Sequence, residues 1–442
     1  MNLDPQLFRA YDIRGVIPDQ LDAGGATQIG RAFVDYVEAE RVVVGYDVRL
    51  TGPELQAAAI EGILRGGAGV VDIGRVATDE FYFACGTTGL PGVMVTASHN
   101  PPEYNGFKLV RDLPQLVMAS QFKDAVLGRT YEDAAQPGTR SERSFAQAFD
   151  DRMLELVDVL ALKPLKVVVD TSNGALGPVW ERLAGRLPVT IVPLNFEPDG
   201  NFPNHGNDIV QPENQAMLRE RVIAEEADLG LIFDPDGDRC MVVDERGSSV
   251  PGDFMTALLA VTRLRREPGS TIVYDIRSAT AVPDMVKAAG GKPFVWKPGH
   301  VYIKPKMQEH DALFGGEVSG HYYFKEFWFS DSGVLAGLTM LEYVSLAERP
   351  LGDEVAELEG RYFLSGEINS RVEDIPSVLA RVKERFSDGE LSELSGVAVD
   401  YDNWRFVVRP SDNEPLVRLT VEADSKDLME AKRDELVGLI RS

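Results

Sequence analysis

Short apolar runs recur along the chain, and three of them end in an aspartate followed by a polar turn. Residues 41–52 read RVVVGYDVRLTG, residues 165–177 read LKVVVDTSNGALG and residues 270–280 read STIVYDIRSAT. Each is a β-branched run of the kind that forms a buried strand, and each leads into a helical pattern. Asp47, Asp170 and Asp275 lie a domain's length apart. The pattern predicts three related α/β units in tandem.

Each unit then carries one unusual polar loop, where α/β domains place their ligand-binding residues. In the first, the strand-like PGVMV (91–95) runs into TASHNP (96–101), and Pro101 and Pro102 forbid a continued ladder. Ser98, His99 and Asn100 there suit either chemistry or a helix N-cap. In the second, LGLIF (229–233) precedes DPDGDR (234–239), and in the third DALF precedes GEVSGH (316–321). From about residue 366 the texture changes. SGVAVDYDNWRFVVRPS (395–411) predicts a hairpin turning near Asp402–Asn403, LVRLTVEA (416–423) a strand, and 425–441 a closing helix. The expected organisation is therefore three α/β domains, 1–150, 151–252 and 253–365, and a C-terminal α+β domain, 366–442, with its own loop RPSDNEP (409–415).

The acidic loop is the most specific signal. Asp234, Asp236 and Asp238 alternate along a stretch that an extended backbone would aim to one side, and Gly237 permits a tight bend. Three carboxylates so close repel unless a hard cation neutralises them, and oxygen ligands suit Mg2+. An EF-hand loop would need glycine where Arg239 stands, although Glu245 falls at its twelfth position. The haloacid-dehalogenase pattern is a closer match, and there the first aspartate, here Asp234, would be the nucleophile. Arg239 beside a metal suits stabilisation of a transferring phosphoryl group, with Ser98 as a possible carrier.

Composition narrows the partners. With 45 basic and 70 acidic residues the net charge is −25, which disfavours nucleic acid and anionic membrane. An anionic substrate would need a local basic island. No run of about 18 apolar residues occurs. The start carries no signal-peptide pattern. The two cysteines, Cys85 and Cys240, lack disulfide or metal-ligand spacing, which favours the cytoplasm. No obligate protein partner is evident.

With these residues in view, the chain resembles the α-D-phosphohexomutase superfamily, in its phosphomannomutase/phosphoglucomutase branch. The resemblance rests on FRAYDIRG (8–15), TASHNP, DPDGDR, GEVSGH and RPSDNEP, in the family's order and over nearly the whole chain. It implies four domains around a central cleft and interconversion of hexose 6-phosphate and hexose 1-phosphate, mannose, glucose or both. Ser98 would be the phosphoserine and a hexose 1,6-bisphosphate the intermediate and activator. Mg2+ would bind Asp234, Asp236, Asp238 and the Ser98 phosphate. Lys108, His99 and Arg239 would sit at the reaction centre. Glu317 and Ser319 would meet the sugar hydroxyls, with His321 beside them. Tyr11, Arg14, Arg277 and His300 would line the cleft, and Arg409, Ser411 and Asn413 would grip the distal phosphate.

Two positions depart from the family pattern: Asp412 stands in the phosphate loop, and Arg277 replaces a lysine, which makes it a clamp rather than a proton shuttle. Two other functions stay open from sequence alone. One is a Mg-dependent phosphatase or mutase that forms an aspartyl-phosphate at Asp234. The other is a sugar-phosphate binding protein without turnover.

Overall fold

The computed structural model describes residues 3–411 and 416–442. They form two compact units, Met1–Val250 with Ser319–Glu348, and Pro251–Val318 with Arg349–Ser442. The three aspartate-ended runs are central strands of three sheets. Arg41–Tyr46 lies between Gly69–Arg75 and Gly92–Val95 and is parallel to both. Lys166–Asp170 lies in the same way between Thr190–Leu194 and Leu229–Phe233. In the second compact unit, Thr271–Asp275 lies between Lys292–Trp296 and Phe314–Gly316. The Val and Ile side chains of these strands are buried against flanking helices, as a parallel sheet requires.

This topology explains why each unit has one polar loop. In every case one parallel neighbour of the aspartate strand is the strand that enters the loop. Tyr46 is in register with Val95, Asp170 with Ile232, and Tyr274 with Gly316. Parallel strands finish on the same side of a sheet, so aspartate and loop emerge together. Each aspartate then folds its own turn. Asp47 Oδ1 accepts from Arg49 N at 2.9 Å, Asp170 Oδ1 from Ser172 N at 2.8 Å, and Asp275 Oδ1 from Arg277 N at 2.7 Å. The residue two places on is thereby aimed at its own unit's loop. Arg49 reaches Ser98 O, Ser172 Oγ donates to Phe233 O at 2.5 Å, and Arg277 reaches Glu317. The similarity of the three stretches is a structural triplication, down to one repeated hydrogen bond.

The C-terminal part is α+β, as expected. Val397–Asp400 and Trp404–Pro410 form the antiparallel hairpin, Leu416–Ala423 extends the sheet, and Lys426–Arg441 closes it. Met429, Leu436 and Ile440 on that helix share a core with Val399, Phe406 and Val421.

One open alternative is decided and one expectation is corrected. No helix follows Ser98, so it is no N-cap; the chain passes into the strand Tyr104–Asp112. The acidic loop is a tight turn rather than an extended stretch. Gly237 N bonds Asp234 O at 3.0 Å, and Gly237 takes the left-handed φ of 84° that favours glycine. That turn rests on the second repeat's own turn, where Ala175 N bonds Pro235 O at 2.8 Å. A Cβ on Gly174 would lie 2.4 Å from Pro235 O. Gly174→Ala is therefore expected to destabilise the fold by about 1–3 kcal/mol through overpacking against backbone. Chemical denaturation checks this, and an unchanged midpoint would contradict it.

Candidate active site

Within the first compact unit, the serine loop and the acidic loop meet. Ser98 is 1% exposed and has φ 47°. A non-glycine residue is held there only when its surroundings over-determine it. Its amide donates to Thr96 Oγ1 at 2.9 Å, and its hydroxyl donates to Asp234 Oδ2 at 3.0 Å. The hydroxyl oxygen is 3.2 Å from His99 Nδ1. Burial, then the charges of Arg239 and Arg14, push the His99 pKa well below the usual histidine value, so this imidazole is neutral.

Asp234, Asp236 and Asp238 are all buried, and each offers a carboxylate oxygen within 4.8 Å of the others. Burial, then the charges of Asp236 and Asp238, raises the Asp234 pKa well above the carboxylate range. Asp236 is pushed up by burial and by Asp238. Lys108 and the Thr78 hydroxyl outweigh both, and its pKa falls below the ordinary value. All the donors reach Asp236 Oδ2: Lys108 Nζ at 2.7 Å, Thr78 Oγ1 at 2.9 Å and Thr96 Oγ1 at 3.2 Å. Asp236 Oδ1 is buried without a protein hydrogen bond. A buried, orphaned carboxylate oxygen among three carboxylates is what a hard divalent cation satisfies. The residues fit such a metal.

Basic groups surround the cluster. Lys108 Nζ also bonds Asp238. Burial lowers its pKa, but Asp236 and Asp238 raise it by more, and the ammonium stays charged. Arg239 N donates to Asp234 Oδ1 at 3.1 Å, and its Nε donates to His321 Nε2 at 3.3 Å. Nε2 therefore accepts, which assigns the His321 hydrogen to Nδ1, 3.1 Å from Ser319 Oγ. His321 Nε2 is 3.7 Å from Asp238 Oδ1. Arg14, in the strand Ile13–Val16, pairs with Asp12 at 2.6 Å and bonds the Asn100 side chain. Tyr11 stands half-buried just ahead of that strand, its carbonyl accepting from Ala119 N at 3.1 Å.

The second compact unit holds the other candidates. Arg277 is bidentate on Asp275, at 2.9 and 2.8 Å, and reaches Glu317 Oε2 at 3.2 Å. Gly299 N donates to the same Glu317 oxygen at 3.1 Å, just ahead of the helix His300–Glu309. Arg409 is 8% exposed and shares Glu367 with Arg418, at 3.3 and 2.8 Å. Burial, then the charge of Arg277, lowers the Arg409 pKa. Ser411 Oγ is 3.5 Å from Arg418 Nη2. Asp412 and Asn413 lie outside the described residues.

Four residues are not among the candidates from sequence: Arg49, Thr78, Arg418 and Thr96, the last inside the TASHNP motif. Arg49 had a signal, because Asp47-Val48-Arg49 repeats as Asp275-Ile276-Arg277. Thr78 had none, since its partner Asp236 is remote in sequence.

Models of all four domains of the phosphoglucomutase/phosphomannomutase family match the chain in order. Alpha/beta/alpha domain I covers residues 5–121, domain II 145–247, domain III 251–362 and the C-terminal domain 367–439. The chain belongs to this family. It is 40% identical to the phosphohexose mutases of Xanthomonas campestris, over 98% of this chain and 99% of the relative. It is 37% identical to the phosphomannomutase of Escherichia coli, over 98% of each. Among solved structures, a phosphoglucomutase/phosphomannomutase family protein from Burkholderia thailandensis superposes with a TM-score of 0.88 at 34% identity, covering 99% of this chain and 97% of that one. The open form of the phosphoglucomutase parafusin from Paramecium shares the fold, with a TM-score of 0.81 at 16% identity over 100% and 95% of the two chains.

The orphaned oxygen makes a sharp prediction. In Asp236→Asn either the amide nitrogen faces Lys108, which cannot accept from it, or it faces the metal. Mg2+ or Mn2+ affinity of the free chain, read by calorimetry, should fall at least about tenfold, because a neutral amide is a poorer ligand for a hard cation. Unchanged affinity would show that Asp236 is not a ligand.

Proposed function

We propose that this phosphohexomutase interconverts hexose 6-phosphate and hexose 1-phosphate, of mannose, glucose or both, with Ser98 as the phosphoryl carrier. The observation that carries the proposal is the Ser98 hydroxyl, buried and 3.0 Å from Asp234 within the three-carboxylate group. Phospho-Ser98 gives its phosphoryl to the free hydroxyl of the substrate, forming a hexose 1,6-bisphosphate. The bisphosphate turns over, and Ser98 takes back the phosphoryl from the other end. Free bisphosphate would also rephosphorylate a serine lost to hydrolysis, and so act as activator.

Asp234, Asp236 and Asp238 would hold Mg2+, which supplies charge neutralisation to the transferring group. Arg239 adds a fixed positive charge beside Asp234. Asp234 accepts the serine hydroxyl and the Arg239 amide. That geometry suits a residue that orients the serine better than one that attacks phosphate itself. Arg277, Glu317 and His300 are assigned to the sugar, with Ser319 and His321, and Tyr11 and Arg14 to its approach. Arg409, Ser411 and Asn413 are assigned to the distal phosphate. Within the first compact unit Lys108, Arg239 and Arg14 give an otherwise acidic chain a local basic island for a phosphosugar. Two free, buried cysteines fit a reducing compartment such as the cytoplasm.

The test is a coupled assay on glucose 1-phosphate and mannose 1-phosphate side by side, for the wild type and Ser98→Ala. The wild type should convert at least one of them. Ser98→Ala should lose at least about 1,000-fold in turnover, the scale expected when a covalent carrier goes. A variant that keeps most of the wild-type rate would remove Ser98 from the reaction.

A further inference from the structure

Arg49 is 1% exposed and lies in the turn after Arg41–Tyr46. Its two terminal nitrogens make four hydrogen bonds to backbone carbonyls of one short segment. Nη2 donates to Ser98 O at 2.7 Å and Asn100 O at 2.6 Å; Nη1 donates to Pro101 O at 2.7 Å and Tyr104 O at 2.8 Å. The segment between the strands Gly92–Val95 and Tyr104–Asp112 has no ladder or helix of its own. Asn100 O and Pro101 O have a second donor each, Asn207 Nδ2 at 2.9 Å and Tyr104 N at 3.1 Å, and the Ser98 O bond to Arg49 is the buried one of the four. The guanidinium is fixed from behind. Its backbone amide donates to Asp47 Oδ1 at 2.9 Å, Nε is 3.5 Å from Asp47 Oδ2, and Cζ stands 5.2 Å from the centre of the Phe202 ring.

We infer that Arg49 is a positioning residue that sets the geometry of the serine loop, and thereby the aim of the Ser98 hydroxyl. This rests on the reading of Ser98 as the phosphoryl carrier. Ser98 keeps its left-handed φ of 47° with its own carbonyl bonded to Arg49 and its amide bonded to Thr96. Fixing both sides of one residue is the over-determination that a strained backbone needs. Arginine is also the only side chain with the required shape: its planar fork presents several N–H donors at fixed angles, whereas lysine offers one nitrogen. Arg49 touches none of the three carboxylates and none of the groups assigned to the sugar or the distal phosphate. Its loss should therefore misplace the nucleophile while leaving substrate binding, and Mg2+ binding to the three carboxylates of the unphosphorylated chain, intact.

The experiment compares wild type, Arg49→Lys and Arg49→Ala in the full-length chain. It measures kcat, KM for the hexose 1-phosphate, the Mg2+ midpoint and thermal midpoint, with and without low-millimolar guanidinium chloride. A misaimed nucleophile should lower kcat about 100-fold, with KM and the Mg2+ midpoint within about threefold of wild type. Guanidinium should restore the Arg49→Ala rate at least about tenfold and leave the wild type unaffected. If Arg49→Ala does not fold, Arg49→Lys decides through the split between kcat and KM. A folded Arg49→Lys within threefold of the wild-type kcat overturns the inference. So does a parallel loss in KM and kcat, or an Arg49→Ala that folds but gains nothing from guanidinium. A wild type with no turnover on hexose phosphates would instead overturn the carrier reading, which keeps the two failures apart.

Discussion

The site depends on one repeated constraint, a carboxylate at the end of a buried parallel strand that accepts the amide two residues further on. Asp47, Asp170 and Asp275 all do this, at 2.9, 2.8 and 2.7 Å. The bond turns the chain off the strand at a defined point, and the neighbouring parallel strand delivers a loop to the same sheet end. Residue i+2 then ties that loop down. Arg49 holds the serine loop, Ser172 braces the backbone just before Asp234, and Arg277 grips Glu317. One local rule, applied three times, supplies three different loops. Fold and chemistry separate cleanly here, because the strands and the aspartate are kept while the loop and residue i+2 change.

Burial then gives the first compact unit its electrostatics. Three carboxylates sit together with 1% or less of their surface exposed. Such a group persists only if it is neutralised. Lys108 takes one oxygen of Asp236 and one of Asp238, and Arg239 lies against Asp234. The division within Asp236 matters most. Three donors saturate Oδ2 while Oδ1 stays bare, so its rotamer is set by Thr78, Thr96 and Lys108 before any cation arrives. A ligand fixed in advance costs little to order on binding.

Much of this was legible in the sequence, for physical reasons. Continuous Val and Ile runs of five or six residues bounded by turn residues read as strands buried on both faces, and LGLIF falls on Leu229–Phe233 as expected. The closing helix, expected at 425–441, spans Lys426–Arg441. The aspartates of the acidic loop do converge, although through a turn stabilised by Gly237 rather than through an extended backbone. What the sequence hides is pairing at long range. Nothing local shows that Thr78 bonds Asp236, that Lys108 is committed to Asp236 and Asp238, or that Glu367 ties Arg409 to Arg418. Those contacts depend on which strand ends the sheets bring together. Arg49 is the instructive omission, because the repeat that singled out Asp47 and Asp275 has an arginine two places on in both units, Arg49 and Arg277.

The central claim is that a phosphoryl group rides on Ser98 while Asp234 orients it. The most direct measurement is to quench the enzyme in acid during turnover on glucose 1-phosphate with glucose 1,6-bisphosphate present, digest it and locate the phosphate by mass spectrometry. A serine phosphate survives acid, whereas an aspartyl phosphate hydrolyses readily. The account predicts an acid-stable phosphate on the peptide carrying Ser98. An acid-labile phosphate on the peptide carrying Asp234, with Ser98 unmodified throughout turnover, would contradict it.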